Sequence, residues 1–97
     1  MVKSSQPERG RSRLRIYLDI LRTIDKAQRA RSTHILYQAN LSYDRLTKYL
    51  GELRERGLIN EIADGDTKYF EVTKKGKEFM KEVERAQAFV GAFGLDI

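Results

Sequence analysis

Residues 41–58 read LSYDRLTKYLGELRERGL, and they contain the strongest structural signal in the chain. Ser42 suits the N-cap of a helix, because its hydroxyl can accept a hydrogen bond from a free N–H of the first turn. Gly57 suits the end of that helix, since glycine readily adopts the left-handed conformation found there. Apolar residues recur between them at helical spacing and predict a buried face made by Leu46, Tyr49, Leu50 and Leu53. The face expected to point outward carries Ser42, Tyr43, Arg45, Thr47 and Lys48.

Two helices are predicted upstream of this stretch. Periodic apolar residues indicate a first helix over residues 13–28, followed by a turn at residues 29–31. Ser32 or Thr33 is expected to cap a short second helix that ends at Asn40, a residue that tolerates the left-handed conformation. The tight turn that follows leads directly into the helix that begins after Ser42.

A hairpin and a last helix are predicted downstream. Residues 58–62 and 68–72 are strand-prone, and an Asp-Gly turn at residues 64–65 separates them. Thr73 is expected to cap a final helix that runs to about residue 92. The order of elements predicts a mainly α fold with a small β-hairpin (α+β), typical of a winged helix-turn-helix. The predicted organisation is a flexible basic N-terminal arm at 1–11, a winged helix-turn-helix domain at 12–73, and a C-terminal helix for dimerisation at 74–97.

Composition is consistent with one small domain. The chain has 97 residues and no cysteine. It has no apolar run near the roughly 18 residues that a membrane span requires. Its first residues also lack the apolar segment of a secretory signal, so a cytoplasmic protein with no membrane partner is expected. The net charge is +5, and residues 1–15 hold five basic residues against one acidic residue. This basic arm is either a solvated tail or, as the neighbouring helix-turn-helix favours, a contact for phosphates.

The outward face of the helix after Ser42 has the chemistry of a DNA contact. A helix fits the major groove, where Arg45 could donate two hydrogen bonds to a guanine edge and Lys48 could reach a base or a phosphate. The hairpin holds four acidic residues and one basic residue, Lys68, so it is expected to add little affinity. A solvated helix face, balanced by neighbouring acidic residues, is the alternative interpretation. The predicted DNA-binding residues are Ser42, Tyr43, Arg45, Thr47, Lys48, Arg31, Lys68, Arg11 and Arg13.

The sequence contains no pattern that indicates an enzyme or a metal site. His34 is the single histidine, and the chain has no cysteine that could share a metal with it. No glycine-rich loop of the phosphate-binding type follows a predicted strand. We therefore expect no catalysis, no cofactor, no metal and no small-molecule effector.

The last predicted helix carries an apolar stripe with heptad spacing. Its members are separated by four, three, four and three residues, as in a coiled-coil seam, and they are Phe79, Val83, Ala86, Val90 and Phe93. An ordinary helix packed on its own domain would show the same pattern over three turns. Because the other elements already form a small core, self-association is the favoured interpretation.

Several segments of the chain resemble a known family. They are YQANLSY at 37–43, Tyr49-Leu50, Gly57-Leu58-Ile59 and Thr73-Lys74-Lys75-Gly76. Together they resemble the small archaeal winged-helix proteins that include predicted transcriptional regulators and abundant chromatin proteins. The resemblance covers residues 14–85. It implies double-stranded DNA as the ligand, the helix after Ser42 as the recognition helix, and an antiparallel coiled-coil dimer through the C-terminal helix. This chain departs from that pattern in its short C-terminal helix and its longer, more basic arm.

The sequence as a whole predicts a homodimeric protein that binds double-stranded DNA. It would act as a transcriptional regulator or as a nucleoid-associated protein. The alternative from another class is a winged-helix protein–protein interaction module, which the acidic hairpin favours.

Overall fold

The computed structural model describes residues 10–97, so the predicted arm lies outside the described residues except for its last two positions. The elements follow the predicted order. Helix α1 spans Arg13–Ala27, α2 spans Ser32–Ala39 and α3 spans Tyr43–Glu55. Strands β1 (Ile59–Asp64) and β2 (Thr67–Val72) follow, and α4 spans Lys74–Gly91. The predicted winged helix-turn-helix fold is confirmed.

Helix α1 is central to the hydrophobic core. Its N-cap residue Ser12 accepts a hydrogen bond from the Arg15 backbone N–H at 3.1 Å. The buried side chains of α1 are Ile16, Tyr17, Leu18, Ile20, Leu21 and Ile24. They contact apolar residues from the other helices and from the hairpin, so one core joins all the elements.

The turn between α2 and α3 is built as predicted from local signals. Asn40 adopts the left-handed conformation with φ 55°, and its N–H donates to the Leu36 carbonyl. Ser42 caps α3 by accepting a hydrogen bond from the Arg45 N–H at 3.3 Å. Gly57 has φ +75° at the end of α3, which a residue with a side chain would rarely adopt.

The structure corrects the predicted start of α2. Ser32 is the first helical residue, and Arg31 is the N-cap. Arg31 is extended, with φ −89° and ψ 160°, and no side-chain capping bond is found there within the described part of the chain. The prediction that Ser32 or Thr33 caps this helix was therefore wrong, because the residue before the helix is fixed by a strand contact at Ala30 rather than by a side-chain cap.

The hairpin belongs to a slightly larger sheet than the sequence predicts. Strands β1 and β2 are antiparallel from Ile59↔Val72 to Asp64↔Thr67. Ala30 then pairs with Phe70 on the other edge of β2 through two backbone hydrogen bonds of 3.0 and 2.8 Å. Residues 29–31 are therefore more than the predicted turn. A single residue in a bridge has no alternating pattern, so only the packing of α1 beside β2 reveals it.

The first turn of α4 is joined to the turn between α3 and β1. Thr73 donates its hydroxyl to the Gly57 carbonyl at 2.7 Å and accepts from the Gly76 N–H at 2.9 Å. A Cβ at Gly76 would overlap the Leu58 carbonyl oxygen and the Val72 side chain. Glycine is therefore required in this helical turn by close backbone packing, although it is a poor helix former.

Helix α4 runs antiparallel to α1 in the same chain. Arg22 and Glu84 form an ion pair at 2.9 Å, and Lys77 lies 4.0 Å from Asp25. Met80 is buried, which leaves the first half of α4 with a core-facing side. None of the helices within residues 10–97 combines the length and the apolar character needed to cross a membrane.

Candidate nucleic-acid interface

Helix α3 separates a buried face from an outward face as predicted. Leu46, Tyr49, Leu50 and Leu53 are buried in the core. On the other side Tyr43 is 65% exposed, and Thr47 and Lys48 are exposed with it. The ammonium group of Lys48 lies 5.5 Å from the centroid of the Tyr49 ring, so its charge stays at the surface near the helix.

A shallow groove of about 150 Å³ lies between α3 and the hairpin. The side chains of Leu50 and Phe70 contribute apolar surface to it. Its other lining residues are Ser32, Tyr43, Thr47, Gly51, Arg54, Glu61 and Lys68. The groove thus brings together the start of α2, the outward face of α3 and one face of the hairpin. This is the surface that an extended polyanion could follow, since basic side chains lie along it.

Four of the predicted DNA-binding residues line or flank this groove with exposed side chains. Tyr43 and Thr47 line it from α3, and Lys68 lines it from β2. Arg31 is exposed at the start of α2, next to the groove residue Ser32. The Thr47 hydroxyl donates to the Tyr43 carbonyl at 3.0 Å, so towards the groove it can only accept.

Two predicted residues on α3 are more constrained than expected. The Ser42 hydroxyl is engaged as the helix cap, although the residue is exposed. Arg45 is half-buried rather than fully outward. In the first half of α3, the basic residue with an exposed side chain is Lys48, which lies on the next turn.

Arg11 has a structural role that the sequence did not predict. Its guanidinium donates to the carbonyls of Ala39 and Asn40 at 2.7 and 3.0 Å and pairs with Asp19 at 3.0 Å. The side chain is 16% exposed. Arg11 therefore caps the C-terminal end of α2, where cations are favoured. These three contacts hold Arg11, the last residue of the predicted arm, against the fold.

Arg13 makes its contact beside the second half of α3. Its Nε lies 3.9 Å from the Glu52 carboxylate, and the side chain is 60% exposed. The same carboxylate accepts a hydrogen bond of 2.5 Å from the Tyr17 hydroxyl. Burial, together with this bond to Glu52, raises the pKa of Tyr17 to about 12. This network links side chains of α1 to Glu52 on α3.

Sequence reasoning missed Arg54 in the groove. Arg54 stands seven residues after Thr47 and eleven after Tyr43, and such spacing keeps residues on neighbouring positions of one helix face. This spacing was available in the sequence. DNA contacts were predicted only in the first half of the helix, where base contacts were expected.

The acidic residues of the hairpin lie on two different faces. Arg29, from the α1–α2 turn, pairs with Asp64 at 3.6 Å and with Glu71 at 3.4 Å, and lies 5.1 Å above the Tyr69 ring. These contacts hold Asp64 and Glu71 on one face of the hairpin. Glu61 lies on the other face, which borders the groove.

The predicted dimer seam is divided by the fold. Phe79 and Val83 are half-buried and pack against the core of their own chain. Phe93 lies in the turn after the end of α4 and is 69% exposed. Its ring is edge-to-face with that of Phe89, with 5.4 Å between the ring centroids. Phe89, which the predicted seam omitted, is 68% exposed. The exposed aromatic surface of this segment therefore lies at the last turns of α4 and in the turn that follows them.

The described residues contain no group of three or more acidic, histidine or cysteine side chains that could hold a metal. His34 is exposed and lines a second shallow groove, together with Arg22 and Lys26.

The fold has a three-helix core and a paired hairpin, and α3 presents its outer face beside that hairpin. These features define the winged helix-turn-helix class. The chain matches the winged helix-turn-helix family over residues 10–90 and belongs to that family. The family is non-enzymatic. The match confirms the winged-helix part of the resemblance found in the sequence.

Solved structures with the same fold include archaeal and bacterial proteins. Sso10a-2, described as a DNA-binding protein from Sulfolobus solfataricus, is 28% identical, with a TM-score of 0.66, over 81% of this chain and 84% of its own. The transcriptional regulator BldR from the same organism has a TM-score of 0.70 at 17% identity, over 80% of this chain and 58% of its own. YusO from Bacillus subtilis has a TM-score of 0.75 at 17% identity, over 82% and 59%. The chain thus spans a little over half the length of BldR and of YusO. No curated protein sequence matches it.

Proposed function

We propose that this protein binds double-stranded DNA through the outward face of α3, in the cytoplasm, as a transcriptional regulator or a nucleoid-associated protein. The observation that carries the proposal is the exposed row of Tyr43, Thr47 and Arg54 along α3, beside a groove that the hairpin borders. Lys48 is exposed on the adjoining surface of the same helix. The similarity to Sso10a-2, which is described as a DNA-binding protein, supports the same conclusion.

The dimensions of α3 suit the major groove. A helix with its side chains is about 10–12 Å in diameter, which fits a groove about 12 Å wide, and α3 rises about 16 Å from Tyr43 to Arg54. Lys48 and Arg54 would contact phosphates, whereas Tyr43 and the acceptor oxygen of Thr47 would contact base edges or sugars. Arg31 and Lys68 would add phosphate contacts along the groove beside α3. Ser42 acts indirectly, by capping the helix and fixing where its first turn begins.

The second part of the proposal is that two copies of this chain bind one duplex together. The exposed apolar residues at the end of α4, together with the half-buried Val90, would pair with the same surface of a second copy. Single winged helices make few contacts, and a dimer doubles the contacts on one duplex. Residues 1–11 would add basic contacts through the positions before Arg11, and residues 74–97 would supply the dimer surface.

Fluorescence anisotropy of a labelled random-sequence duplex, titrated at several salt concentrations, tests DNA binding. Replacing Lys48 and Arg54 together by alanine is expected to weaken binding at least tenfold and to reduce the salt slope by about two, because each phosphate contact contributes about 0.9 to that slope. Lys81→Ala is the matched control, since Lys81 is exposed on α4 and faces away from its apolar stripe. A double variant that binds as tightly as Lys81→Ala would remove α3 from the interface.

A winged-helix protein-interaction module is the second candidate function. The acidic hairpin favours it, because Glu61 neutralises part of the basic surface that DNA would need. The same titration separates the two functions. Absence of binding to any duplex at low salt would favour the interaction module, whereas salt-dependent binding would favour DNA.

A further inference from the structure

Glu61 of β1 lies between two basic residues of the groove. Its Oε1 is 2.7 Å from Nη1 of Arg54 on α3, and its Oε2 is 3.4 Å from Nζ of Lys68 on β2. One carboxylate therefore contacts cations from two different elements. These two cations are also the basic side chains that line the groove from the last turns of α3 and from the hairpin.

The register of the hairpin explains this placement. Glu61 is opposite Phe70, and Lys68 is opposite Ala63, so Glu61 and Lys68 are diagonal neighbours on the same face of the hairpin. Phe70 is buried on that face against the helices. Glu61 and Lys68 consequently project towards α3, where Arg54 completes the cluster.

The cluster is accessible to solvent and therefore open to competition. The side chains of Arg54 and Lys68 are 54% and 61% exposed, and that of Glu61 is 31% exposed. Ion pairs at such exposure are weak, so a phosphate can compete with Glu61 for both cations. The carboxylate would still repel that phosphate and would lower the net charge of the cluster from two to one.

We infer that Glu61 restrains DNA affinity by holding Arg54 and Lys68 in ion pairs and by repelling phosphates in the groove. The inference rests on the proposed function, because it concerns the same interface. It assigns a role to a residue that is neither basic nor on the recognition helix. The protein would thus bind DNA less tightly than its groove geometry allows, and Glu61 would set the limit.

Glu61→Gln tests the inference, since glutamine keeps the shape of the side chain and removes its charge. We expect the variant to bind a random-sequence duplex about three- to tenfold more tightly at low salt, and its salt slope to steepen by about one. Glu71→Gln is the matched control. It makes the same charge change on the same hairpin, but Glu71 pairs with Arg29 at 3.4 Å on the other face. Thermal melting of each variant verifies that it is folded.

The outcomes separate this inference from the proposed function. If the wild type fails to bind any duplex, the proposed function is wrong and the inference is lost with it. If the wild type binds and Glu61→Gln binds equally or more weakly, Glu61 does not restrain affinity, while DNA binding stands. If Glu61→Gln and Glu71→Gln increase the affinity for the duplex equally, the effect is one of general charge, and this result would also overturn the inference. If adding Arg54→Ala to Glu61→Gln abolishes the gain in DNA affinity, the inference is supported.

Discussion

Gly76, in the first turn of α4, is the position where local propensity and tertiary packing make opposite predictions. Replacement by alanine should stabilise an isolated helix by about 1 kcal/mol, because glycine is the poorer helix former. In the folded chain, however, the new Cβ would overlap the Leu58 carbonyl oxygen and the Val72 side chain. That carbonyl also accepts a hydrogen bond from the Thr73 N–H at 3.0 Å, so it cannot move independently.

The clash decides the sign of the effect. Relief requires α4 to shift away from the turn between α3 and β1, which would disturb the Thr73 cap and the packing of Met80. Overpacking costs about 1–3 kcal/mol, and the upper part of that range applies because the clash is with a backbone oxygen, so the cost exceeds the gain in propensity. Gly76→Ala should therefore lower the free energy of unfolding by about 1–2 kcal/mol.

Urea unfolding followed by circular dichroism measures this change, with all proteins at one concentration because self-association would shift the midpoint. Gly51→Ala is the matched control. Gly51 lies inside α3, and apart from its chain neighbours and the backbone of its own helix no described atom comes within 4 Å of a Cβ placed there. Gly51→Ala should raise the free energy of unfolding by about 0.5–1 kcal/mol. If Gly76→Ala is as stable as the wild type, close packing at this turn does not explain the glycine.

Two further predictions concern the end of α4 and the contact between α1 and α3. Phe93→Asp should convert the proposed dimer to a monomer in sedimentation experiments without unfolding the domain, because Phe93 is 69% exposed within one chain. Glu82→Gln, on α4, serves as the control, and an unchanged mass for Phe93→Asp would exclude this surface. For Tyr17, burial and the bond to Glu52 raise the pKa from 10.0 to about 12. Its contribution to stability should therefore be complete below pH 10 and should be lost as the pH rises towards 12, since the unfolded state releases the proton first. Urea unfolding across this range should show a steeper loss for the wild type than for Tyr17→Phe, and parallel curves would contradict the assignment.

Local signals in the sequence were sufficient for most of the secondary structure. The cap at Ser42, the left-handed Asn40 and the Gly65 turn depend on residues within a few positions of one another, and all three are found where they were predicted. The apolar stripe of α3 was likewise readable, because helical periodicity reports which side is buried. The order of these elements was enough to predict the winged-helix fold.

The candidate interface was less completely predictable. Lys48 and Thr47 could be placed on an outward face from periodicity alone. By contrast, the capping of α2 by Arg11 could not be predicted, because it depends on contacts 28 and 29 residues away in sequence. The pairing of Glu61 with Arg54 and Lys68 could not be inferred either, since it depends on how the hairpin faces α3.

The sequence by itself determined the identity and order of the helices and strands and most of the helix boundaries, because caps, turns and periodicity act over short distances along the chain. Tertiary structure alone decided which surfaces remain available. The strand contact between Ala30 and Phe70, the requirement for Gly76 and the burial of Phe79 and Val83 all arise where distant segments meet. The physical reason is that a side chain's exposure and charge partners depend on the elements packed around it, which no local pattern records.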